Sequence, residues 1–389
     1  MRVAYITYPP YLDFSIEYIN ELKKSVVLDV YIVLTKNHFK ATVLNITDYS
    51  YQTGKIVPFD RLENVLENFI VIKEYARDCN SFNFILFPDK SLSLASVITS
   101  KKLATAINKS KPDIVHFDDT IAHLMSMKLF LKSKNVLTNI HDPEPHSNIR
   151  DWRRDLTRKV LFPKMKAFVL FSNFSTDRFI KVYKPKQIVY TLSLVPYSFY
   201  TKFKAKKVIS KIEPDDFVLL FFGRISKYKG VDALLNTFNS LHKQLPNLKL
   251  IIAGKGNIEY DFPESLKKLI DNRLIILNRF ITNEELVQLM QITDVVVCPY
   301  LDATQSGVVM TSFAFNKKVI STRVGGLHEP ITENQNGYTY SLYDEKGLEN
   351  IIINLVNKGI NNSFFLKEEY QAKYNAAKLT EVYKQLMEN

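Results

Sequence analysis

Short apolar runs alternate along the chain with longer stretches whose apolar positions recur every three or four residues. The first pattern suits buried strands and the second amphipathic helices. In the first half the apolar runs are 3–7, 27–34, 82–87, 113–117, 136–141 and 167–172. Helical spacing appears between them, as in FSIEYINELKKS (14–25) and HLMSMKLFLKS (123–133). A second series follows at 217–223, 248–254, 273–278, 294–299 and 318–323, again with helical stretches between: VDALLNTFNSLHKQL, PESLKKLI and NEELVQLMQI. Strands alternating with helices predict an α/β fold with parallel sheets. Two open units in tandem are expected, joined near the polar stretch TKFKAKKVISKIEPDD (201–216). Open parallel sheets bind ligands beyond the carboxyl ends of their strands. The chemistry is therefore sought just after each run, in a cleft expected between the units.

Composition narrows the class. The 389 residues are 46% hydrophobic and 24% charged, the balance of a soluble globular protein. Cys79 and Cys298 are far apart, so neither a disulfide framework nor a metal-spaced cluster is expected. The N-terminal MRVAYITYPPYLDF lacks a signal-peptide pattern, and no run approaches the ~18 apolar residues of a membrane span. A cytoplasmic location is expected. The net charge of +12 is uneven: residues 151–211 hold 15 Lys and Arg against 3 Asp and Glu, which accounts for all of it. Such a segment suits an anionic membrane or an acidic acceptor, or is simply a solvated basic face. Nucleic acid is disfavoured, since no aromatic interleaving, helix-turn-helix or zinc-finger spacing accompanies the charge.

The stretch FFGRISKYKG (221–230) follows a buried run and precedes a helix. Gly223 allows a tight exit, Arg224 can fork onto phosphate oxygens, and Lys229 adds a compact cation. Gly230 lets a helix begin close to an anion. The spacing matches neither the Walker loop nor the dinucleotide fingerprint. Another small-residue turn, Ala303–Gly307, opens the helical stretch VVMTSFAF and can offer free N–H groups to a second phosphate. Gly325 and Gly326 then make a turn, with Glu329 beyond it, where a carboxylate could meet a sugar or ribose hydroxyl. In the first half, NIHDPEPHS (139–147) ends a strand in His141 and Asp142 on a proline-stiffened turn. The spacing of His141 and His146 is not that of a helical metal site, so a substrate-bonding His is favoured over a metal ligand. His116 ends a strand and is expected to line the same cleft, while His123 is expected to be structural.

These residues resemble the family-4 retaining glycosyltransferases of the GT-B fold. GRISKYKG is similar to that family's G-R-x-x-x-x-K-G, and PYLDATQSGVVMTSFAFNKKVISTRVGGLHEPI to its following donor-site run. HFDD and IHDPEPH resemble its acceptor-side loops, and the stretch from Phe364 to Met387, with Tyr383, its C-terminal crossing helix. The resemblance implies two Rossmann-like open-sheet domains: an acceptor domain at 1–205, a nucleotide-sugar domain at 206–363, and a helix at 364–389 returning to the first. It implies that Arg224 and Lys229 neutralise a donor diphosphate, with Ser306, Gly307 and Val308 offering N–H groups to the same phosphates. His141 would sit near the transferred sugar. Arg279 and Ile281 would flank the nucleobase, and Gly254 and His116 would join the substrate contacts.

One departure stands out. Where the family often carries two glutamates separated by seven residues, this chain has Ala303, or Gln305 with a shifted loop, and Thr311. Thr311 would then bond a ribose hydroxyl as a neutral group and Gln305 a sugar hydroxyl. The activity implied is retaining transfer from a nucleotide-diphosphate sugar to a glycan or lipid-linked acceptor. No metal and no cofactor would be required, because fixed cations meet the leaving charge. The alternatives are a non-catalytic partner subunit of the same fold, a nucleotide-sugar epimerase, and, disfavoured by length, a phosphorylase.

Overall fold

The computed structural model describes residues 1–36, 43–47, 52–144, 152–361 and 363–388. His146, with the rest of the 145–151 stretch, lies outside the described residues. The chain forms two compact units, Met1–Val195 with Gln371–Asn389, and Pro196–Tyr370.

The first unit runs β1 (Arg2–Thr7), α1 (Leu12–Leu22), β2 (Val27–Leu34), β3 (Ile56–Pro58), α2 (Phe69–Ala76), β4 (Ser81–Leu86), α3 (Leu94–Ser110) and β5 (Ile114–Asp118). It continues with α4 (Met127–Phe130), β6 (Val136–Asn139), α5 (Trp152–Leu161), β7 (Ala167–Leu170), α6 (Asn173–Tyr183) and β8 (Ile188–Thr191). Among the described residues its sheet has the order β3-β4-β2-β1-β5-β6-β7-β8, parallel except at β3. The central strands are buried almost end to end, the reason they read as unbroken apolar runs. The strand order reverses between β1 and β5, so Thr7 and Asp118 end their strands at the switch point.

The second unit runs β9 (Phe217–Phe222), α7 (Val231–Leu241), β10 (Leu248–Ala253), α8 (Glu264–Lys267), β11 (Leu274–Leu277), α9 (Asn283–Ile292), β12 (Val295–Cys298), α10 (Gly307–Ala314), β13 (Lys318–Thr322), β14 (Gly337–Tyr340) and α11 (Gly347–Lys358). Its sheet, β11-β10-β9-β12-β13-β14, is parallel throughout. Here the switch point falls between β9 and β12, and GRISKYKG and the 299–307 turn both leave from it.

The last helix, α12 (Ala372–Glu388), belongs to the first unit. Ala376, Leu379, Val382, Tyr383 and Leu386 form its buried stripe at helical spacing. Asn375 Oδ1 accepts the Ser193 amide at 2.9 Å, and the Tyr190 hydroxyl donates to Gln385 at 2.8 Å.

Two local readings change. The helix expected over 123–133 is a short turn at Ala122–Leu124 followed by α4. Asn108 of α3 binds the Phe130 carbonyl at 2.9 Å and the Lys132 amide at 3.0 Å, which draws the chain out of the helix. The sequence also hid β3, β8 and β14. Those at the sheet edges, β3, β8 and β14, are short and lack long apolar runs because only one flank is covered.

Candidate functional site

In the second unit, two glycines let the strand-end loops stack backbone on backbone. Gly254 has φ +152°, and a Cβ there would lie 1.8 Å from the Gly223 carbonyl oxygen. Gly230, at φ +67°, caps α7 where a Cβ would stand 1.9 Å from the Pro299 carbonyl oxygen. These contacts dock GRISKYKG against the turn after β12, and the Leu301 amide donates to the Tyr228 carbonyl at 2.7 Å. Gly254 therefore acts by shape, bringing the loops together. Asn278 helps, accepting the Gly256 amide at 3.1 Å.

Lys229 lies over the Tyr300 ring, 3.6 Å from its centroid. This cation–π contact replaces an ion pair, since no carboxylate meets Lys229 or Arg224 among the described residues. Burial pushes the Lys229 ammonium down to about 8, and the neighbouring Arg224 charge adds to the effect. Arg224 is exposed. Next to them, Ser306 is the N-cap of α10 but makes no side-chain cap bond, and its buried Oγ has no partner of good geometry. The Tyr300 hydroxyl lies close enough to Ser306 to influence it, yet the pair does not meet hydrogen-bond geometry. The first-turn amides of Gly307 and Val308 have no intrahelical acceptor, as at any helix start. A Cβ on Gly223 would come within 3.4 Å of Val308, so the helix start and the glycine turn are in contact. Two uncompensated cations and a helix N-terminus thus share one strand-end cradle.

The other expected residues of this unit are distributed around it. Gln305 is half-buried, and Ala303 and Thr311 are both buried, Thr311 one turn into α10. Gly325, Gly326 and Glu329 follow β13 in a turn. Arg279 is already engaged: its guanidinium grips Glu285 at 2.7 and 3.0 Å, while Glu285 completes the capping box of α9 with Thr282. The sequence signal for that pairing was present, because Thr282 and Glu285 have capping-box spacing. Ile281 is half-buried beside it.

In the first unit, His141 and Asp118 meet. The His141 Nε2–H donates to Asp118 Oδ1 at 2.8 Å. Asp118 is fully buried and also accepts from Thr7 at 2.8 Å, Asn139 at 2.8 Å and Ser15. Burial opposes charge on His141, but the Asp118 carboxylate outweighs it and raises the imidazole above its ordinary value. Asp118 itself is held below the carboxylate range: burial works against it, but His141 and the hydroxyl and amide donors prevail. Tyr11 stacks on His141 with centroids 3.8 Å apart.

His116 was expected among the substrate contacts; the structure buries it wholly. Its Nδ1 takes the Tyr383 hydroxyl at 2.6 Å, and its Nε2 pairs with Asn139 Oδ1 at 2.8 Å. Burial drops it to about 4, so it is neutral near pH 7. His123 Nε2–H donates to the Pro88 carbonyl oxygen at 3.0 Å.

Arg158, counted by sequence within the basic segment, is only 1% exposed. It donates to the Asp142 and Pro143 carbonyls, each at 2.7 Å, and lies 3.8 Å from Asp119. It thereby clamps the loop that follows His141. No local pattern marks this role, which depends on a loop more than ten residues away in sequence. A pocket of about 580 Å³ lies elsewhere, at the amino end of β4, lined by Asp60, Lys73, Arg77 and Cys79, and shares none of these residues. Among the described residues no three His, Cys, Asp or Glu side chains converge as a metal site would need.

Residues 216–358 match the model of the family Glycosyl transferases group 1. This segment contains the cradle. Sulfoquinovosyl transferase of Arabidopsis thaliana is 27% identical over 161 residues, 41% of this chain and 30% of that protein. D-inositol 3-phosphate glycosyltransferase of Pseudarthrobacter chlorophenolicus is 28% identical over 130 residues, 32% of this chain and 31% of that protein. The matches thus span about a third of the length of these relatives. In overall fold the chain is similar to a glycosyltransferase from Rickettsia africae, with TM-score 0.65, 15% identity, and coverage of 100% of this chain and 99% of that one. The fold is GT-B, with two open α/β units.

Proposed function

We propose that this protein is a glycosyltransferase that takes a sugar from a nucleotide-diphosphate donor and passes it to an acceptor hydroxyl with retention. The observation that carries the reading is the cradle after β9 and β12, where Arg224 and Lys229 have no counter-charge among the described residues and the start of α10 lies alongside. The family match over the same segment supports it. Departure of a nucleoside diphosphate puts charge on its terminal phosphate. Arg224, Lys229 and the amides of Ser306, Gly307 and Val308 would be aimed at that charge. Such fixed donors stabilise the leaving group without a metal. Thr311 and Gln305 would meet donor hydroxyls, and Ile281, beside the engaged Arg279, the base. His141 would hydrogen-bond a substrate hydroxyl.

The acceptor is a glycan or a lipid-linked sugar in surface polysaccharide or glycolipid synthesis, and the protein works in the cytoplasm at the membrane face. Helix α5 supports this, exposing Trp152 and Leu156 beside Arg153 and Lys159. No helix among the described residues is long and apolar enough to cross a membrane, so contact would be peripheral. Binding to anionic but not neutral liposomes at low salt is expected; no binding to either would remove the membrane part of the reading.

The main test is a thermal-shift series with UDP, GDP, ADP, CMP and their sugar conjugates, without and with Mg²⁺. One diphosphate at 100 times its Kd should add about 2.7 kcal/mol. The shift should persist without Mg²⁺ and vanish in Arg224→Ala. A second reading, a donor-binding subunit without turnover, is favoured by the neutral Ala303 and Thr311, both buried where acids would grip the donor. Ligand binding with no sugar transfer to any glycan or lipid acceptor would select it; conversion of the donor to an epimer would select an epimerase.

A further inference from the structure

We propose that Asp118 positions His141 for its substrate, and that a hydrogen-bonded chain through Asn139 and His116 ties this pair to Tyr383 on the last helix. The inference rests on the substrate role given to His141 above.

The chain of bonds has one consistent direction. A carboxylate can only accept, so Asp118 requires a proton on His141 Nε2 and takes an N–H from Asn139 through the same Oδ1. The Asn139 amide is then oriented with its oxygen toward His116. That oxygen accepts, so His116 carries its proton on Nε2, leaving Nδ1 to accept the Tyr383 hydroxyl. Every group from Tyr383 to His141 is therefore set in one tautomer and one orientation by its neighbour. The chain uses the ends of β5 and β6 and the buried face of α12, all within the first unit.

Asp118 is locked in turn. Thr7 from the end of β1 and Ser15 from α1 both donate to its Oδ2. The His141 ring is stacked on Tyr11 and packed edge-on by Phe14. Its backbone amide reaches Asp119 Oδ2 at 3.3 Å. Among the described residues, the charged and titratable groups around the ring include Asp118, Asp119 and Asp142, with Arg158 facing Asp119, Tyr11 stacked above and His116 behind Asn139. Acidic groups dominate, so the site favours the imidazolium. A His whose Nε2–H is committed to a carboxylate has its tautomer and orientation fixed and is held toward its charged form, which suits a group that meets hydroxyl or phosphate oxygens of a sugar ligand rather than one that accepts a proton.

The test is a pH titration of the ring resonances of His141 by nuclear magnetic resonance, in the full wild-type chain and in Asp118→Asn, with kcat measured across pH in both. Wild type should titrate above 6.5, with its Nε2 protonated throughout. Asp118→Asn should move that midpoint downward and cut kcat by about 100-fold at pH 7.5, with part of the loss recovered at acid pH. A purely structural role would lower kcat equally at every pH. A wild-type midpoint at or below 6.5, or an unshifted midpoint in Asp118→Asn, overturns the proposal. Should Asp118→Asn not fold, the wild-type titration still decides the pairing, and Tyr383→Phe tests the chain from its far end. That variant should move the His116 ring nitrogens and lower the His141 midpoint; unmoved His116 resonances would cut Tyr383 out. The reading beneath fails separately: His141→Ala with full transfer activity would remove its substrate role while leaving the wild-type titration standing.

Discussion

The two strand-end sites are built in opposite ways. After β5, Asp118 takes bonds from four side chains, and its partner His141 is enclosed by aromatic rings. After β9, Arg224 and Lys229 stand without an anion among the described residues, and the cap hydroxyl Ser306 does not cap. Satisfied buried networks give rigidity and a fixed protonation state. Unsatisfied cations beside a helix start cost stability and are suited to an anionic ligand that supplies the missing charge. One unit thus holds a group whose state its own neighbours set, the other a cradle suited to an anion.

That contrast is most severely tested at Gly254. Gly254→Ala places a Cβ 1.8 Å from the Gly223 carbonyl oxygen in a left-handed conformation. It should cost about 3 kcal/mol or more, read as a lowered melting temperature, and abolish nucleotide binding. A stable variant that still binds would show that backbone stacking does not shape the cradle.

Arg224→Ala separates ligand chemistry from folding. Arg224 is exposed, so stability should change by no more than about 0.5 kcal/mol. Turnover should fall about 100- to 1,000-fold, the range seen when one donor to a developing charge is lost. Unchanged turnover would break the assignment.

Lys229→Met sharpens the comparison because its two effects have opposite signs. Removing an unpaired, partly buried cation should raise the stability of the free protein by about 1 kcal/mol, while diphosphate affinity collapses. The pH dependence follows the same logic. Lys229 titrates near 8 in the folded chain against 10.5 ordinarily, so folding carries its desolvation cost below 8. That cost disappears as pH rises from about 8 toward 10.5, so the free protein should gain stability across this window while anion binding weakens. Lys229→Met should show neither slope.

The smallest expected effect lies at the satisfied site. His116 protonates near 4 when folded and near 6.5 otherwise, so the unfolded chain takes up its proton first. Stability should therefore fall as pH drops from 6.5 toward 4, and His116→Gln should flatten that part of the profile. Equal slopes in chemical denaturation would mean that His116 is not held neutral.

Much of the fold was legible because both sheets are parallel at their centres. Strands such as β2, β9 and β10 are buried on both faces and read as plain apolar runs. The edge strands β8 and β14 did not announce themselves, since one flank is open and the apolar signal weakens with it. The cradle could be located from sequence because its parts are local: glycines at fixed offsets, two cations in one loop, and a small-residue turn before a helix. His141 was also visible at a strand end.

What local pattern could not show is which partners each group finds. His116 and His141 look alike in sequence, each after an apolar run, yet one is neutral in the core and the other is held toward its charged form. Arg158 reads as one more cation in a basic segment, but folding turns it inward onto the Asp142 and Pro143 carbonyls. Arg279, read as a ligand contact, spends its guanidinium on Glu285. Periodicity and glycine placement, which act over a few residues, determined the α/β order and where the glycine-lined strand-end loop lies. Protonation states, the fate of each cation and the bond chain from Tyr383 to His141 were decided only when strands remote in sequence came within about 3 Å, the range over which hydrogen bonds act.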